Sequence, residues 1–340
     1  MSLIHDALSF SSVFNFLILD ANIFLMEIND ELQQRLELLQ KKFEAMGQDL
    51  NSYLDGLLYS DYLKYWDYIH LDTLLSLQTP RTSFPDEKIF IIYHQITELF
   101  FNMTLHALKQ ICDQESSDIK NFVLQMKRVN SYYDALSRTY GIMVEGMDKD
   151  QFLKFRMALL PASGFQSGQF RMIELISTNV INLVQFEKRT ELSSEKDIDK
   201  LLQHLYWKQG ATELKSGKKT LTLRQFEEKY YNTFSQMAHE YSSKNIWKKF
   251  LDQKLTDPQF EELKNELRKF DELVNVQWLL AHYKSAVRYL QRDPEVIKAT
   301  GGTNWQQYMP PKNKLIIFFP DLWSDEEKEM WGRTTKYDVV

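Results

Sequence analysis

Hydrophobic residues recur at three- and four-residue steps along most of the chain, as they do on one face of an α-helix. The first such stretch, residues 30–46, carries apolar side chains at Leu32, Leu36, Leu39 and Phe43. The same spacing predicts further helices over residues 57–77, 85–112, 116–142, 149–159, 169–188 and 263–292. Residues 85–112 are apolar on nearly every side, so we expect that helix at the centre of a bundle.

Composition supports the same all-α interpretation, a helical bundle. Glycine and proline account for only 11 and 8 of the 340 residues, and chains so poor in turn residues rarely form many-stranded sheets. The apolar run at 315–319 predicts one short strand or extended segment. Residues 190–262 are rich in lysine and glutamate with interspersed aromatics, which predicts a helical insertion outside the main core of a single domain spanning 29–340.

The amino-terminal residues 1–28 contain an apolar stretch unlike the rest of the chain. No lysine or arginine precedes Arg35, and Asp20 interrupts the apolar run, which argues against a secretory signal and against a membrane span. A polar helical pattern begins after Met26. We therefore expect the natural protein to begin at Met26, with the preceding residues not native, and the protein to be cytoplasmic.

Charge, cysteine usage and motifs exclude several functional classes. The net charge of −6 provides no basic excess to neutralise phosphates, which argues against nucleic-acid binding. Cys112 is the only cysteine, which excludes an intrachain disulfide or a thiolate zinc cluster and fits a reducing compartment. The sequence contains no P-loop, GxGxxG, GxSxG or HExxH motif. Conventional hydrolase and nucleotide-binding functions therefore have no support.

Isolated histidines on apolar helices remain as candidates for chemistry. His94 follows Phe90 by four residues, and His282 follows Trp278 by four, so each pair shares one helix face. Haem needs one neutral imidazole as an axial ligand, together with apolar walls. A hydrogen-bonded histidine in a core gives the same pattern, so these residues alone leave both interpretations open.

Four blocks of sequence follow one another along the chain. The first two are YWDYIHLDTLLSLQTP at 65–80 and DEKIFIIYHQITELFF at 86–101, and the third is FLKFRMALLPASGFQSGQFR at 152–171. The fourth comprises Trp278, His282 and the later Thr300-Gly-Gly. Together these blocks resemble the tryptophan 2,3-dioxygenase family over roughly residues 57–320. The resemblance implies a helical bundle that encloses a pocket for haem b (iron protoporphyrin IX).

The resemblance also implies a role for individual residues. His282 matches the proximal ligand of the haem iron, and His94 matches the catalytic distal histidine that accepts the indole N–H of the substrate. Arg156 matches the clamp on the substrate carboxylate, because a planar guanidinium can bind both carboxylate oxygens. Thr300 matches the threonine that contacts the substrate ammonium group from a closing loop.

Further matches surround the substrate. Phe90, Phe152, Tyr65 and Tyr68 correspond to aromatic residues around the indole, and Ser163 to a loop serine beside the haem edge. In the family the helix that carries the tyrosines reaches the active site of a neighbouring subunit. The resemblance therefore implies a functional homotetramer, a dimer of dimers.

The activity implied by the resemblance is cleavage of the indole C2–C3 bond of L-tryptophan by O2 to N-formylkynurenine, the first step of the kynurenine pathway. No flavin, nicotinamide, nucleic acid or membrane is implied as a partner. Two departures concern specificity: Ala299 precedes Thr300 where the family has glycine, and Leu279 stands where arginine is common. A related haem-dependent aromatic monooxygenase and a non-catalytic haem-binding protein are the alternatives.

Overall fold

The computed structural model describes residues 29–59, 64–114, 118–159, 164–209, 211, 218–254, 256, 258–290 and 311–333, with only the backbone described at 286–290. Two compact units divide between Leu75 and Ser76. The described residues contain helices and an isolated antiparallel bridge between Val184 and Leu205, but no strand. The predicted all-α fold is confirmed. No described helix is both long and apolar enough to cross a membrane.

The helices of the first unit are short and largely exposed. They are α1 (Asp30–Ala45), α2 (Leu50–Tyr59), α3 (Tyr65–Tyr68) and α4 (Leu71–Ser76). The Asn29 side chain caps α1 by accepting the N–H of Leu32 at 2.8 Å. Among the described side chains of this unit, only Phe43 and Leu50 are buried hydrophobics. Its remaining apolar side chains are therefore available for contacts outside the unit.

The single helix predicted over residues 57–77 is wrong. The chain forms α3 and α4 instead, and between them His70 has a φ of +50°, in the left-handed region that an α-helix cannot contain. The periodicity of apolar residues continues across this break, which is why the sequence pattern did not reveal it.

The second unit is a helical bundle around one hydrophobic core. Its helices are α5 (Asp86–Cys112), α6 (Ile119–Thr139), α7 (Gly141–Glu145), α8 (Lys149–Phe155), α9 (Gly168–Ser177), α10 (Phe186–Arg189), α11 (Ile198–Leu202), α12 (Tyr206–Gln209), α13 (Leu221–Tyr241), α14 (Ile246–Leu251), α15 (Phe260–Glu272), α16 (Trp278–Leu290), α17 (Pro311–Lys314) and α18 (Asp325–Glu329). The long helix α5 contacts α6, α7, α8, α9 and α14, which confirms its predicted central position.

One stripe of α5 faces this core. Tyr93, Phe101, Leu105, Leu108 and Cys112 lie along it at three- to eight-residue intervals, and each is less than a tenth exposed. The helix is not covered on every side within the chain, however: an outer face that carries Ile92, Leu99 and Met103 remains exposed. The apolar surface that the sequence shows all round α5 is therefore divided between a buried core face and a free face.

Residues 190–262 belong to the core, contrary to the expectation that they lie outside it. Leu201, Trp207, Phe226 and Phe234 from this stretch are buried in the same cluster as the α5 and α6 side chains. The lysines and glutamates dominate the composition, but the apolar residues recur at helical spacing and form a continuous buried face of α13.

The long helix predicted at 263–292 is interrupted by a π-helical segment, Leu273–Gln277, between α15 and α16. At its end the backbone N–H of Trp278 donates to the carbonyl of Leu273, five residues back. Such segments often occur at functional sites, and this one lies directly before the turn of helix that carries His282.

The segment 315–319, predicted as a short strand or extended segment, forms no strand: Leu315 has a φ of +49°, and a buried carboxylate holds the residues that follow it. Asp271 Oδ1 accepts the N–H of Phe318 at 2.9 Å, and Oδ2 accepts the N–H of Phe319 at 3.0 Å. Asn275 and the indole of Trp323 donate to the same carboxylate at 2.8 and 3.1 Å. Asp271 therefore joins the π-helical segment to the carboxyl-terminal part of the bundle.

Candidate haem and substrate site

His94 lies on α5 one turn after Phe90 and contacts that residue twice. The His94 Nδ1 atom is 2.7 Å from the Phe90 carbonyl oxygen, and the two rings lie 4.1 Å apart between centroids. A carbonyl oxygen can only accept, so Nδ1 must carry the proton and Nε2 is left as an acceptor. Desolvation lowers the pKa of His94, although the Phe90 carbonyl and the charge of Glu98 oppose this shift. The ring is therefore neutral at physiological pH.

The start of α8 is joined to the start of α5 by reciprocal hydrogen bonds. Asp86 Oδ2 accepts the N–H of Asp148 at 2.6 Å, and the Gln151 side-chain oxygen accepts the N–H of Asp86 at 3.3 Å. Asp148 also caps α8 by accepting the N–H of Gln151 at 2.8 Å. Residues one turn into each helix are thereby brought face to face.

Three phenylalanines form the wall between these two helices. The ring of Phe90 lies 6.1 Å from that of Phe152 and 5.8 Å from that of Phe155, and the last two are 5.5 Å apart. Phe155 is fully buried, whereas Phe90 and Phe152 are half-buried. The two half-buried rings therefore retain surface against which a planar aromatic ligand can pack.

Arg156 follows Phe155 directly and begins the 3₁₀ turn Arg156–Leu159. Its side chain is 7% exposed, and burial lowers the pKa of the guanidinium. Even a lowered arginine pKa leaves the group charged at neutral pH. A planar guanidinium can bind both oxygens of a carboxylate, and Arg156 presents one next to the phenylalanine wall.

His282 lies on α16 among aromatic rings. Tyr140 is 5.6 Å and Trp278 is 6.2 Å from its ring, and these two rings contact each other at 5.2 Å. Desolvation, together with the nearby charges of His94 and Lys314, lowers the pKa of His282 to about 4. The imidazole is therefore neutral, which is the form that binds a metal.

A chain of ring contacts connects the two histidines. The His94 ring lies 6.2 Å from Tyr93, Tyr93 lies 5.6 Å from Tyr140, and Tyr140 lies 5.6 Å from His282. His94 is exposed and His282 is half-buried by surface area, yet desolvation dominates the pKa of both. His94 also contributes to the lowered pKa of His282, so the two side chains lie close enough to interact electrostatically.

The described residues around His282 fit a haem. A haem needs one neutral nitrogen ligand from the protein and apolar walls, because the porphyrin supplies the remaining nitrogen ligands. His282 provides a neutral, desolvated imidazole, Tyr140 and Trp278 contact its ring, and Phe101 in turn contacts Trp278.

The predicted site residues fall into three groups. His94, Phe90, Phe152 and Arg156 are brought together at the α5–α8 contact, and His282 is connected to them through the tyrosine rings. Tyr65 and Tyr68 lie on α3 of the first unit, each 70% exposed. The predictions for Thr300 and Ser163, and those for residues 1–28, lie outside the described residues.

Sequence reasoning missed Tyr93, Tyr140, Phe155 and Lys314. Phe155 stands in the Phe-x-x-Phe-Arg spacing before Arg156 and could have been found from it. Tyr93 precedes His94 and points towards Tyr140 instead of the phenylalanine wall. Tyr140 and Lys314 carry no motif: Tyr140 directly follows the last residue of α6, and Lys314 is the last residue of α17.

Comparison with known proteins identifies the family. A family model described as tryptophan 2,3-dioxygenase matches residues 55–293, more than half of the chain. The chain belongs to this family. The tryptophan 2,3-dioxygenase of Ruegeria pomeroyi is 26% identical over 270 residues, which cover 78% of this chain and 92% of that protein.

Shorter alignments reach higher identity. The tryptophan 2,3-dioxygenase of Herpetosiphon aurantiacus is 40% identical over 120 residues, 34% of this chain and 46% of that protein. That of Ruegeria sp. strain TM1040 is 35% identical over 123 residues, 36% of this chain and 43% of that protein. The chain thus aligns with less than half the length of these two relatives, although it spans nearly all of the first.

Proposed function

We propose that this protein is a haem-dependent dioxygenase that cleaves the indole C2–C3 bond of L-tryptophan with O2 to give N-formylkynurenine, the first step of the kynurenine pathway. Membership of the tryptophan 2,3-dioxygenase family supports the reaction class. The observation that carries the proposal is the proximity of His94 and His282, two desolvated imidazoles of which one lowers the pKa of the other. One can hold a metal while the other accepts a hydrogen bond from the substrate.

His282 would hold haem b through its ring nitrogen. A bound haem would supply the ferrous iron that activates O2. The pKa of about 4 keeps the imidazole free of a competing proton over the whole physiological range. Tyr140 and Trp278 pack against the ring and restrict its rotation, which favours a fixed orientation of the ligand nitrogen.

The α5–α8 contact would bind the amino acid. Arg156 would bind the carboxylate through its planar fork, and Phe90 and Phe152 would pack against the indole ring. His94 Nε2 would accept the indole N–H, because Nδ1 is occupied by the Phe90 carbonyl. Thr300 would contact the ammonium group, and Ser163 would lie beside the haem edge. These contacts fix the indole in one orientation and exclude water from the reacting bond.

The active form would be a homotetramer, a dimer of dimers. In the first unit Leu58, Tyr59, Tyr65 and Tyr68 are each at least 70% exposed, and α5 has a free face with Ile92, Leu99 and Met103. Apolar surfaces of this extent on a soluble protein mark interaction sites. Tyr65 and Tyr68 would complete the substrate pocket of a neighbouring subunit. The single cysteine, buried and free, is compatible with the cytoplasm, where we propose the protein acts.

Absorbance spectroscopy and product analysis test the function. The purified protein, reconstituted with hemin if necessary, should show a Soret band that shifts on addition of L-tryptophan. After reduction and exposure to O2, the product should be tryptophan plus two oxygen atoms with the indole ring opened. A gain of one oxygen would indicate a monooxygenase instead, and haem binding without tryptophan-dependent O2 uptake would indicate a binding protein.

A matched pair of variants tests the metal ligand. His282→Ala should lose both the Soret band and the activity, because no other nitrogen is available at that position. His106→Ala changes an exposed histidine on α5 and should affect neither. A normal Soret band in His282→Ala would remove this residue from the ligand role.

Subunit mixing tests the shared pocket. Arg156→Ala and Tyr68→Ala chains should each be poorly active alone, whereas mixed tetramers should regain activity, because some pockets then combine two intact contributions. Light scattering should give four times the chain mass of 40.5 kDa. Mixed tetramers that gain nothing would show that Tyr68 does not act in a neighbour's pocket.

A further inference from the structure

The buried carboxylate of Asp271 joins the π-helical segment to the carboxyl-terminal segment, residues 315–331. The side chain is fully buried and accepts four hydrogen bonds. Three of the donors belong to the carboxyl-terminal segment. The fourth is the side-chain amide of Asn275, which lies in the middle of the π-helical segment. One side chain thus connects two parts of the chain that are distant in sequence.

An apolar cluster joins the same two parts of the chain. Val276 of the π-helical segment is buried together with Ile317 and Trp331 of the carboxyl-terminal segment. Leu280, in the first turn of α16, packs against this cluster, as does Trp323, whose ring lies 4.9 Å from that of Trp331. The contact therefore extends from the buried carboxylate to the first turn of α16.

Leu280 and His282 lie on roughly opposite sides of α16, because two residues correspond to about 200° of rotation around a helix. On its own side of the helix, the His282 ring contacts the ring of Tyr140 at 5.6 Å. The first turn of α16 is thus held between the carboxyl-terminal segment at Leu280 and Tyr140 at His282. A rotation of α16 about its axis would disturb both contacts.

The π-helical segment determines this rotation, because it connects α16 to α15. At its end the N–H of Trp278 donates to the carbonyl of Leu273, five residues back instead of four. Asn275 lies between these two residues, is 2% exposed, and donates to Asp271 at 2.8 Å. Asp271 itself belongs to the last turn of α15. This hydrogen bond therefore spans the junction at which the direction of the His282 side chain is determined.

We propose that Asp271 is a positioning residue for the haem ligand. Together with Asn275 it fixes the π-helical segment to the carboxyl-terminal segment, and so holds the His282 imidazole in the direction that binds iron. The inference rests on the proposed function, since it takes His282 as the iron ligand. It also gives a role to residues 315–331, which the family match over residues 55–293 does not include. Groups that orient a metal ligand typically change metal affinity by about 10- to 100-fold when they are replaced.

Haem affinity and the iron–imidazole vibration test the positioning role. Asp271→Asn keeps the size of the side chain but replaces one acceptor oxygen by a donor, and Trp323→Phe removes one hydrogen bond while it keeps an aromatic ring. The affinity for hemin should fall about tenfold or more in Asp271→Asn, and less in Trp323→Phe. In both variants, resonance Raman spectra of the ferrous haem protein should show a shifted or broadened iron–imidazole stretching band.

Asp118→Ala is the matched control for a loss of stability alone. Asp118 caps the start of α6 by accepting the N–H groups of Lys120 and Asn121, so its removal destabilises the bundle. Tyr140, which contacts His282, follows the opposite end of this 21-residue helix. Asp118→Ala should therefore bind hemin as wild type does and show an unchanged iron–imidazole band.

The other outcomes separate the inference from the proposed function. If wild type binds no hemin, the proposed function itself fails. If Asp271→Asn binds hemin with wild-type affinity and an unchanged band, the positioning role is wrong and the proposed function stands. A band that shifts equally in Asp118→Ala would attribute the change to lost stability and would also overturn the inference. If Asp271→Asn does not fold, Trp323→Phe decides the question by the same two measurements.

Discussion

The carbonyl oxygen of Phe90 lies 2.7 Å from Nδ1 of His94, and this contact decides which ring nitrogen can accept a hydrogen bond from a ligand. The carbonyl belongs to the preceding turn of α5, whose own N–H···O pattern fixes its direction. His94 is thereby held as a neutral acceptor at Nε2 before any ligand arrives. A preorganised acceptor loses little entropy when the substrate binds.

His94→Ala should therefore reduce the reaction without removing haem. Loss of one hydrogen bond costs about 1–3 kcal/mol, so kcat/KM for L-tryptophan should fall roughly fivefold to 150-fold. With 1-methyl-L-tryptophan, which has no indole N–H, the wild type and the variant should differ little. His106→Ala serves as the control on the same helix. An equal loss with both substrates would contradict the hydrogen-bonding role, and loss of haem would indicate that the two histidines exchange roles.

The pH profile should reflect the lowered pKa of His94. Desolvation is the largest cause, and it disfavours the imidazolium, so the neutral acceptor persists below the ordinary histidine pKa of 6.5. The acidic limb of kcat/KM should accordingly lie below pH 6.5, and it should disappear in His94→Ala. An acidic limb above pH 6.5 that depends on His94 would contradict the burial of this ring.

Arg156→Ala should mainly weaken the binding of L-tryptophan. Leaving a carboxylate without its buried partner costs about 2–5 kcal/mol, and a calorimetric or spectroscopic titration measures the loss. Arg156→Lys should lie between the two, because lysine keeps the charge but not the planar fork. Tryptamine affinity should not change in either variant. Arg138→Ala, at an exposed residue paired with Asp134, is the matched control and should behave as wild type.

Asp271 should make the stability of the protein depend on pH. Burial is the largest influence and raises the pKa from 3.8 to about 6, although four donors oppose it. Between about pH 4 and pH 6 the folded state therefore holds a proton that the unfolded chain has released, and the free energy of unfolding falls as the pH rises. Over this range the loss amounts to roughly 3 kcal/mol.

Chemical unfolding of wild type and Asp271→Asn at equal haem loading isolates this contribution. The asparagine variant should be less stable at every pH, because its amide cannot accept from both backbone N–H groups and Trp323. Its stability deficit should be largest near pH 4 and shrink towards pH 7. A deficit that stays constant from pH 4 to pH 7 would show that the carboxyl is not desolvated.

Gly168→Ala should destabilise the bundle at the start of α9. A Cβ atom at this position would lie 2.6 Å from Cε1 of the Tyr230 ring on α13. Such overpacking costs about 1–3 kcal/mol, and Tyr230→Ala in the same chain should relieve most of the added cost. Gly141→Ala is the control, since nothing lies within 4 Å of a Cβ there. A thermal shift of equal size at both glycines would contradict the steric explanation.

Local patterns predicted the helices that begin with clear signals. Asp86 and Glu87 precede the apolar run of α5, and Asp118 caps α6 by accepting the N–H groups of Lys120 and Asn121, so both helices begin within a few residues of the prediction. The break at His70 and the π-helical segment carry no such signal. Both are irregularities of the backbone that interrupt a helix while the periodicity of the apolar residues continues through them.

The candidate site was predictable where residues share one helix and unpredictable where they meet across helices. Phe90 with His94 and Phe152 with Arg156 are four residues apart, so spacing and resemblance together identified them. Tyr140 and Lys314 contact the site only because α6 and α17 end beside it. Their positions depend on turn geometry and on Asp271, and neither can be read from a periodic pattern.

The direction in which the His282 side chain points depends on the number of residues in the π-helical segment before it, and not only on which residues these are. An α-helix turns by about 100° per residue, so deleting one residue of Leu273–Gln277 would restore a regular helix and rotate His282 by that angle relative to α15. The imidazole would then leave the ring of Tyr140 although every named side chain was still present. A variant of this chain in which Leu273–Gln277 is shortened to a regular α-helix should lose the haem although all of its sequence motifs are kept.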